Sequence, residues 1–298
     1  MTTTPRFRVM AKARPGALPV PAEKTISALT KSSVLDKWGD EAAGVRAVER
    51  GDNVITMFDI IGEDFWSGGG ITAKNVSAQL RAIGDRPVEV QINSPGGDMF
   101  EGIAIYNVLR EHPQEITVKV VGMAASAASI IAMAGDRVEV GAASFLMIHN
   151  CWVVAIGNRL DMAETAAWLE PFDAAMRDVY VARSGQSADD IAAWMDAETF
   201  MSGSVAMERG FADALLPSDQ VETDEDAKAA DRSINELRAM ELTLVAAGHT
   251  RSDARARISK IKDGGTPGAA ATLETPTPGA GDTELTGALA GLLSTIRS

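Results

Sequence analysis

Ser126 stands in the run Gly122-Met-Ala-Ala-Ser-Ala-Ala-Ser129, whose side chains are small enough for backbone to approach backbone, or a ligand to approach backbone. The run follows an apolar, strand-like segment and opens a short apolar helix over 126–134, so Ser126 belongs at a helix N-terminus. Two tasks fit it there. Its hydroxyl can accept a backbone N–H as an N-cap, or it can attack a carbonyl whose oxyanion is held by free N–H groups and the helix dipole. A serine nucleophile needs a base, most often histidine, which a carboxylate in turn orients. The chain holds 3 histidines. His112, in REHPQE, reads as a solvated helix end, and His249 as a loop residue of the C-terminal extension. His149 closes the strand SFLMIHN, where it is either a satisfied structural histidine or the base. The block NSPGGD is either a plain strand-to-helix turn or a source of N–H donors for an oxyanion. Cys151 reads as a buried structural thiol rather than a nucleophile.

The elements that must position these residues are legible in the periodicity. From Val54 to Leu216 short apolar strands (VITMFDII, VEVQINS, ITVKVVGM, RVEVG, SFLMIHN) alternate with helical stretches. That alternation predicts an α/β fold with helices packed on a sheet. Helices are expected over 72–82, 99–110, 158–183 and 188–195, with Pro171 bending or breaking the third. Its apolar face would be Leu160, Ala163, Ala167, Trp168, Phe172, Met176 and Val179. Ser202 or Ser204 is expected to cap a helix that Gly210 ends.

Outside that region the composition changes. Residues 1–51 read as an N-terminal arm, with Pro5, Pro15, Pro19 and Pro21 among basic residues at its start. From 218 the acidic stretch SDQVETDEDAKAADRS reads as a linker. Beyond it come a helix over 234–246, a basic helix with Arg255, Arg257, Lys260 and Lys262 on a solvated face, and a Gly/Pro-rich disordered tract before LTGALAGLLSTI. The expected division is therefore 1–51, 52–217 and 218–298.

A net charge of −13 over 298 residues argues against nucleic acid as the main ligand. A lone cysteine excludes an internal disulfide and a multi-cysteine zinc site, and three histidines argue against a histidine-rich metal centre, so neither metal nor cofactor is expected. The absence of a membrane-length apolar run or a signal-peptide core points to a soluble, cytoplasmic chain.

INSPGGDMFEGIAIYNVL, VGMAASAASIIAMAG and FLMIHN, in this order, resemble the three signature blocks of the ClpP-type serine peptidases, and most specifically their phage branch, the head maturation (prohead) proteases. The resemblance spans about 52–217. It implies a ClpP/crotonase-like α/β fold of repeated β-β-α units with a protruding helix, Ser126 as nucleophile, His149 as general base, and an oxyanion hole from the N–H groups of Gly97 and Ala127. Ungapped matching of ETFMSGSVAMERGFAD puts Glu198 where the family carries its aspartate, with Asp196 the alternative acid two residues away. The family's His-x-Pro is here His149-Asn150-Cys151. The implied activity is ATP-independent endopeptidase cleavage of capsid and scaffold polypeptides inside an assembling procapsid in the host cytoplasm, by a homo-oligomeric ring. The competing expectations are a housekeeping ClpP-like subunit driven by an ATPase, a crotonase-type acyl-CoA enzyme, and an assembly scaffold with a vestigial site.

Overall fold

The computed structural model describes residues 26–27, 30–47, 51–217 and 221–262. Its centre is a mainly parallel sheet with helices on both faces, the α/β architecture expected. The strands β3 (Val54–Met57), β4 (Val88–Ser94), β5 (Ile116–Ala125), β6 (Arg137–Gly141) and β10 (Ala214–Leu216) run in the order β10-β6-β5-β4-β3, all parallel. The strands β4 and β5 are buried along almost their whole length, which is why they read as near-continuous apolar runs.

A single irregularity in β5 shapes the rest. Ile92 pairs with Val120, yet Ser94 pairs with Ala124, so β5 carries two extra residues across the bulge. Before the bulge β5 pairs with β6; after it, Met123, Ala124 and Ala125 pair instead with β7 (Phe145–Ile148). A bulge bends its strand and re-aims the residues beyond it, and the first residue beyond the end of β5 is Ser126. The side chain of Asn93 fills the bulge. Its Oδ1 accepts from the Met123 N–H (3.1 Å) and Trp38 Nε1 (2.9 Å), and its Nδ2 donates to the carbonyls of Ala42 (2.6 Å) and Val45 (3.0 Å). All four of the amide's bonding positions are used in a fully buried group. Gly122 is required beside it, since a Cβ there would lie 2.6 Å from Asn93 Oδ1.

Local signals account for the helices. Thr72 caps α2 (Ala73–Ile83) and Asp98 caps α3 (Met99–Arg110) through the N–H groups of Phe100 and Glu101. The six-residue α4 (Ala127–Ala132) is entirely buried. The long α5 (Arg159–Ser184) starts in a capping box between Asn158 and Asp161, and Gly185 closes it at φ 72°. Pro171 does not break α5. Pro171 and Ala167 are both exposed, so the carbonyl that proline deprives of a partner meets water. The expected apolar stripe is used only in its C-terminal part: Phe172 and Met176 are buried, with Tyr180 beside them, whereas Leu160 in the first turn is 63% exposed. The short α6 (Ala188–Asp196) leads into β9 (Thr199–Ser202) and α7 (Gly203–Glu208), which starts at Ser202 without a side-chain cap.

The flanks depart from the sequence reading. Residues 1–25 lie outside the described residues, but within the stretch read as an arm α1 (Ser32–Glu41) buries Val34 and Trp38 against Met123, Ala125 and Met147, and Leu35 is buried too. The stretch read as a linker is, from 221, strand β11 (Val221–Thr223), paired with β2 (Val45–Ala47), and then the first turns of α8 (Glu225–Ala246). Its acidic residues start that helix. Asp224 caps it, Glu225 and Asp226 lie at the positive end of its dipole, and Asp231 binds Arg46 and the Gly44 N–H. The basic α9 (Arg251–Lys262) is not merely a solvated face. Arg251 and Arg255 both donate to Glu241, which is almost fully buried and also accepts from Trp66 Nε1 (2.7 Å). The tract and end segment beyond 262 lie outside the described residues.

A buried arginine ties this α8/α9 hairpin to the loop after β3. Arg238, 6% exposed, donates to Asp59 (2.5 Å) and Asp64 (2.9 Å). Burial works to raise the Asp64 carboxyl, but Arg238 and the Ser67 N–H outweigh it and hold the group below its ordinary value. Removing one partner strands the other's charge, so Arg238→Met is expected to cost about 3–5 kcal/mol. Urea denaturation of the variant checks this, and a loss under about 1 kcal/mol would contradict the clamp.

Candidate active site

The C-terminal ends of β4, β5 and β7 lie side by side, which is where α/β sheets present their ligands. Each delivers one component. After β4 comes Pro95-Gly-Gly-Asp98, after β5 comes Ser126, and after β7 comes His149.

Ser126 does not cap its helix. Its side chain makes no capping bond, and its backbone stands at φ 55°, ψ −124°, a region that L residues rarely occupy. That turn throws the hydroxyl away from the α4 N–H groups and onto the imidazole: His149 Nε2 lies 2.6 Å from Ser126 Oγ. Ser129, one turn on, is a structural residue, its Oγ donating to the Ser126 carbonyl (2.6 Å) and meeting Tyr180 Oη at 2.7 Å.

Gly96 and Gly97 lie against this turn. A Cβ on Gly96 would meet the Ala125 carbonyl oxygen at 2.5 Å and Ser126 Cβ at 2.7 Å; one on Gly97, at φ 153°, would meet the Ile61 carbonyl oxygen at 2.1 Å. The Ile61 backbone grips the loop from the other side, donating to the Gly96 carbonyl and accepting from the Asp98 N–H. Among the described residues neither the Gly97 nor the Ala127 N–H has an acceptor. Two unpaired backbone donors beside a serine hydroxyl can hold an oxyanion.

His149 is 5% exposed. Its pKa is lowered to about 4: burial is the main cause, Glu198 pulls against it, and Lys31 adds a smaller push downward. The imidazole is thus neutral, with Nε2 able to accept the serine proton. The carboxylates sort by register. In the antiparallel pair of β7 and β9, Ile148 faces Thr199, so one further step puts Glu198 opposite His149. Glu198, at φ 49°, does not bond the imidazole; its Oε1 accepts from Lys31 Nζ at 2.5 Å. Asp196 is taken up by Asn150 Nδ2 (2.7 Å).

The remaining candidates are accounted for. His112 is buried rather than solvated, its Nε2 2.9 Å from the Arg86 carbonyl oxygen. His249 lies between α8 and α9. Burial and the nearby Asp173 push the Cys151 thiol well above its ordinary pKa, among Met99 and Met176, so it is no thiolate at neutral pH. Among the described residues no histidine, cysteine and carboxylate cluster could hold a metal ion. Lys31 and Asn93 had no part in the site expected from sequence, and nothing in their local sequence marks either one.

A family model described as Clp protease matches residues 70–219. The chain belongs to the Clp protease family. Two curated relatives are ATP-dependent Clp protease proteolytic subunits from two strains of Bacteroides fragilis. Each is 30% identical over 151 residues, which span 49% of this chain and 73% or 69% of the relative. The Clp protease match contains Gly97, Ser126, His149 and Glu198, while α1, α8 and α9 fall outside it. No helix among the described residues is long and apolar enough to cross a membrane.

The His149 environment has a direct signature. In NMR titration its imidazole is expected to stay neutral until about pH 4. Because the folded pKa lies below the unfolded value of about 6.5, this group's contribution to stability is present above about pH 6.5 and is lost as pH falls toward 4. A midpoint near 6.5 in the folded protein would contradict the buried environment.

Proposed function

We propose that this Clp protease family member is a serine endopeptidase that works through an acyl-enzyme at Ser126. The observation that carries the reading is the 2.6 Å contact of Ser126 Oγ with a neutral His149, beside two backbone N–H groups without acceptors. Ser126 Oγ attacks the scissile carbonyl carbon as its proton passes to His149 Nε2. The oxyanion takes the Gly97 and Ala127 N–H groups. As the intermediate collapses, the amine leaves with the proton from His149, and water then repeats the sequence on the ester with His149 again as base. Glu198 is the third member we assign, on its place opposite His149.

The reading extends to the substrate. Met99, Phe100, Trp168 and Met176 line a small apolar cavity with Ser126 and His149, which suits an apolar side chain beside the scissile bond. The substrate chain would add as a strand next to the Gly96-Gly97 loop. We assign the cleavage to capsid and scaffold polypeptides during phage head maturation, in a homo-oligomeric ring within the host cytoplasm. The support is the resemblance of the three sequence blocks to the prohead branch, together with flanking segments outside the family match. On this reading 52–217 is the peptidase unit, completed by the packing of α1 on it, and the rest of the flanks serves assembly. A second reading, a proteolytic subunit coupled to an ATPase, is favoured by the names of the curated relatives.

Incubating the purified chain with scaffold and capsid polypeptides, without nucleotide, tests both. Cleavage is expected, falling at least about 10³-fold in Ser126→Ala and in His149→Ala. Cleavage only with ATP and an unfoldase would replace the first reading with the second, and an active Ser126→Ala protein would overturn both.

A further inference from the structure

Lys31 has no part in the reaction described above, yet it lines the reaction's cleft and holds the carboxylate assigned as its third member. Thr30, Lys31 and Val34 line the same cavity as Ser126 and His149. The segment that carries Lys31 is held at both ends. Downstream, α1 is locked by the burial of Val34, Leu35 and Trp38 and by the Trp38–Asn93 bond. Upstream, β1 (Ile26–Ser27) pairs antiparallel with β8 (Val154–Ala155), which continues the wall formed by Cys151, Trp152 and Val153. Residue 31 is thereby fixed at the mouth of the site.

Glu198 faces His149 by strand register, and a carboxylate in that position ordinarily bonds the imidazole N–H that points away from the serine. Here its bond goes to Lys31 Nζ at 2.5 Å instead. The pair is partly exposed, with side-chain accessibilities of 29% and 39%. Such a pair contributes little to overall stability, so its effect is local. The charged and titratable groups around His149 are few. Ser126 comes from the β5 turn, Glu198 from the turn before β9, and Lys31 from the N-terminal segment. Asp196 of α6 is held by Asn150, and Asp173 of α5 by the Cys151 N–H.

We propose that Lys31 is a positioning residue of the site: by binding Glu198 it withholds the carboxylate from His149, and the third member engages only when the segment carrying Lys31 shifts. The proposal rests on the catalytic reading given above for its consequence, but not for its geometry. In the structure as it stands Ser126 and His149 form a dyad, and the chain's own N-terminal segment acts as the brake. A substrate strand entering beside β8 would compete with β1 and loosen the same segment.

Two readouts on the full chain test this. The first is NMR titration of His149, which needs no catalysis. In Lys31→Met the positive charge is gone and Glu198 is free, so the midpoint is expected to rise by about one pH unit, while Lys31→Arg stays near the parent. The second is the rate at which a fluorophosphonate labels Ser126 at neutral pH, expected to increase about tenfold in Lys31→Met. Most of that increase should vanish when Glu198→Gln is also present. Should Lys31→Met misfold, Lys31→Gln removes the same charge. An unchanged or lowered midpoint overturns the proposal, as does a rate increase that persists undiminished with Glu198→Gln. A raised midpoint in a protein whose Ser126 is never labelled upholds the contact and overturns the catalytic reading.

Discussion

A serine held at positive φ is the constraint on which the rest of the site depends. The conformation at Ser126 costs on the order of 1–3 kcal/mol and persists only where its surroundings leave no alternative. The surroundings here are built for that. Gly96 lies against the Ser126 Cβ, Gly102 leaves room for Ala127, and Ala124, Ala125, Ala127 and Ala128 let β5, α3 and α4 close around the turn. The question raised by the small-residue run therefore has a steric answer. Each missing side chain is space the strained turn occupies, and the strain keeps Ser126 Oγ on His149 rather than on the helix end behind it.

The turn also needs its strand to arrive at the right place, and Asn93 provides this. By filling the two-residue bulge it moves the end of β5 from the register of β6 to that of β7, so Ser126 emerges beside His149. The same amide anchors α1 and β2 through Trp38, Ala42 and Val45. A single buried side chain thus couples the nucleophile's position to the segment that carries Lys31. The pairing of β7 with β9 runs to Ile148 and Thr199, so chain geometry brings Glu198 near the imidazole, while Asp196 is held by Asn150.

Much of this could be read from the sequence because the core elements announce themselves locally. Strands such as RVEVG and helices such as that over 99–110 appear with the expected bounds, since an alternating or helical apolar pattern and a capping residue are short-range signals. The close approach of Ser126 and His149 is a consequence of strand order, which three ordered blocks were enough to suggest. What escaped was long-range. Lys31 and Glu198 are 167 positions apart, and no periodicity links them. The polar start of α8 looked like a linker because its stability comes from a cap, a dipole and the pair of Arg46 with Asp231, none of which is apolar. His112 looked solvated because its partner is a backbone carbonyl 26 residues away.

The central claim is that the turn after β5 presents an activated serine to an oxyanion hole made of backbone. Solving the crystal structure of the chain after reaction with a peptidyl phosphonate tests it most directly. The account predicts a bond from phosphorus to Ser126 Oγ, with the phosphonyl oxygen about 3 Å from the Gly97 and Ala127 nitrogens. Attachment at Ser129 or Cys151, or a phosphonyl oxygen turned out to solvent, would contradict it.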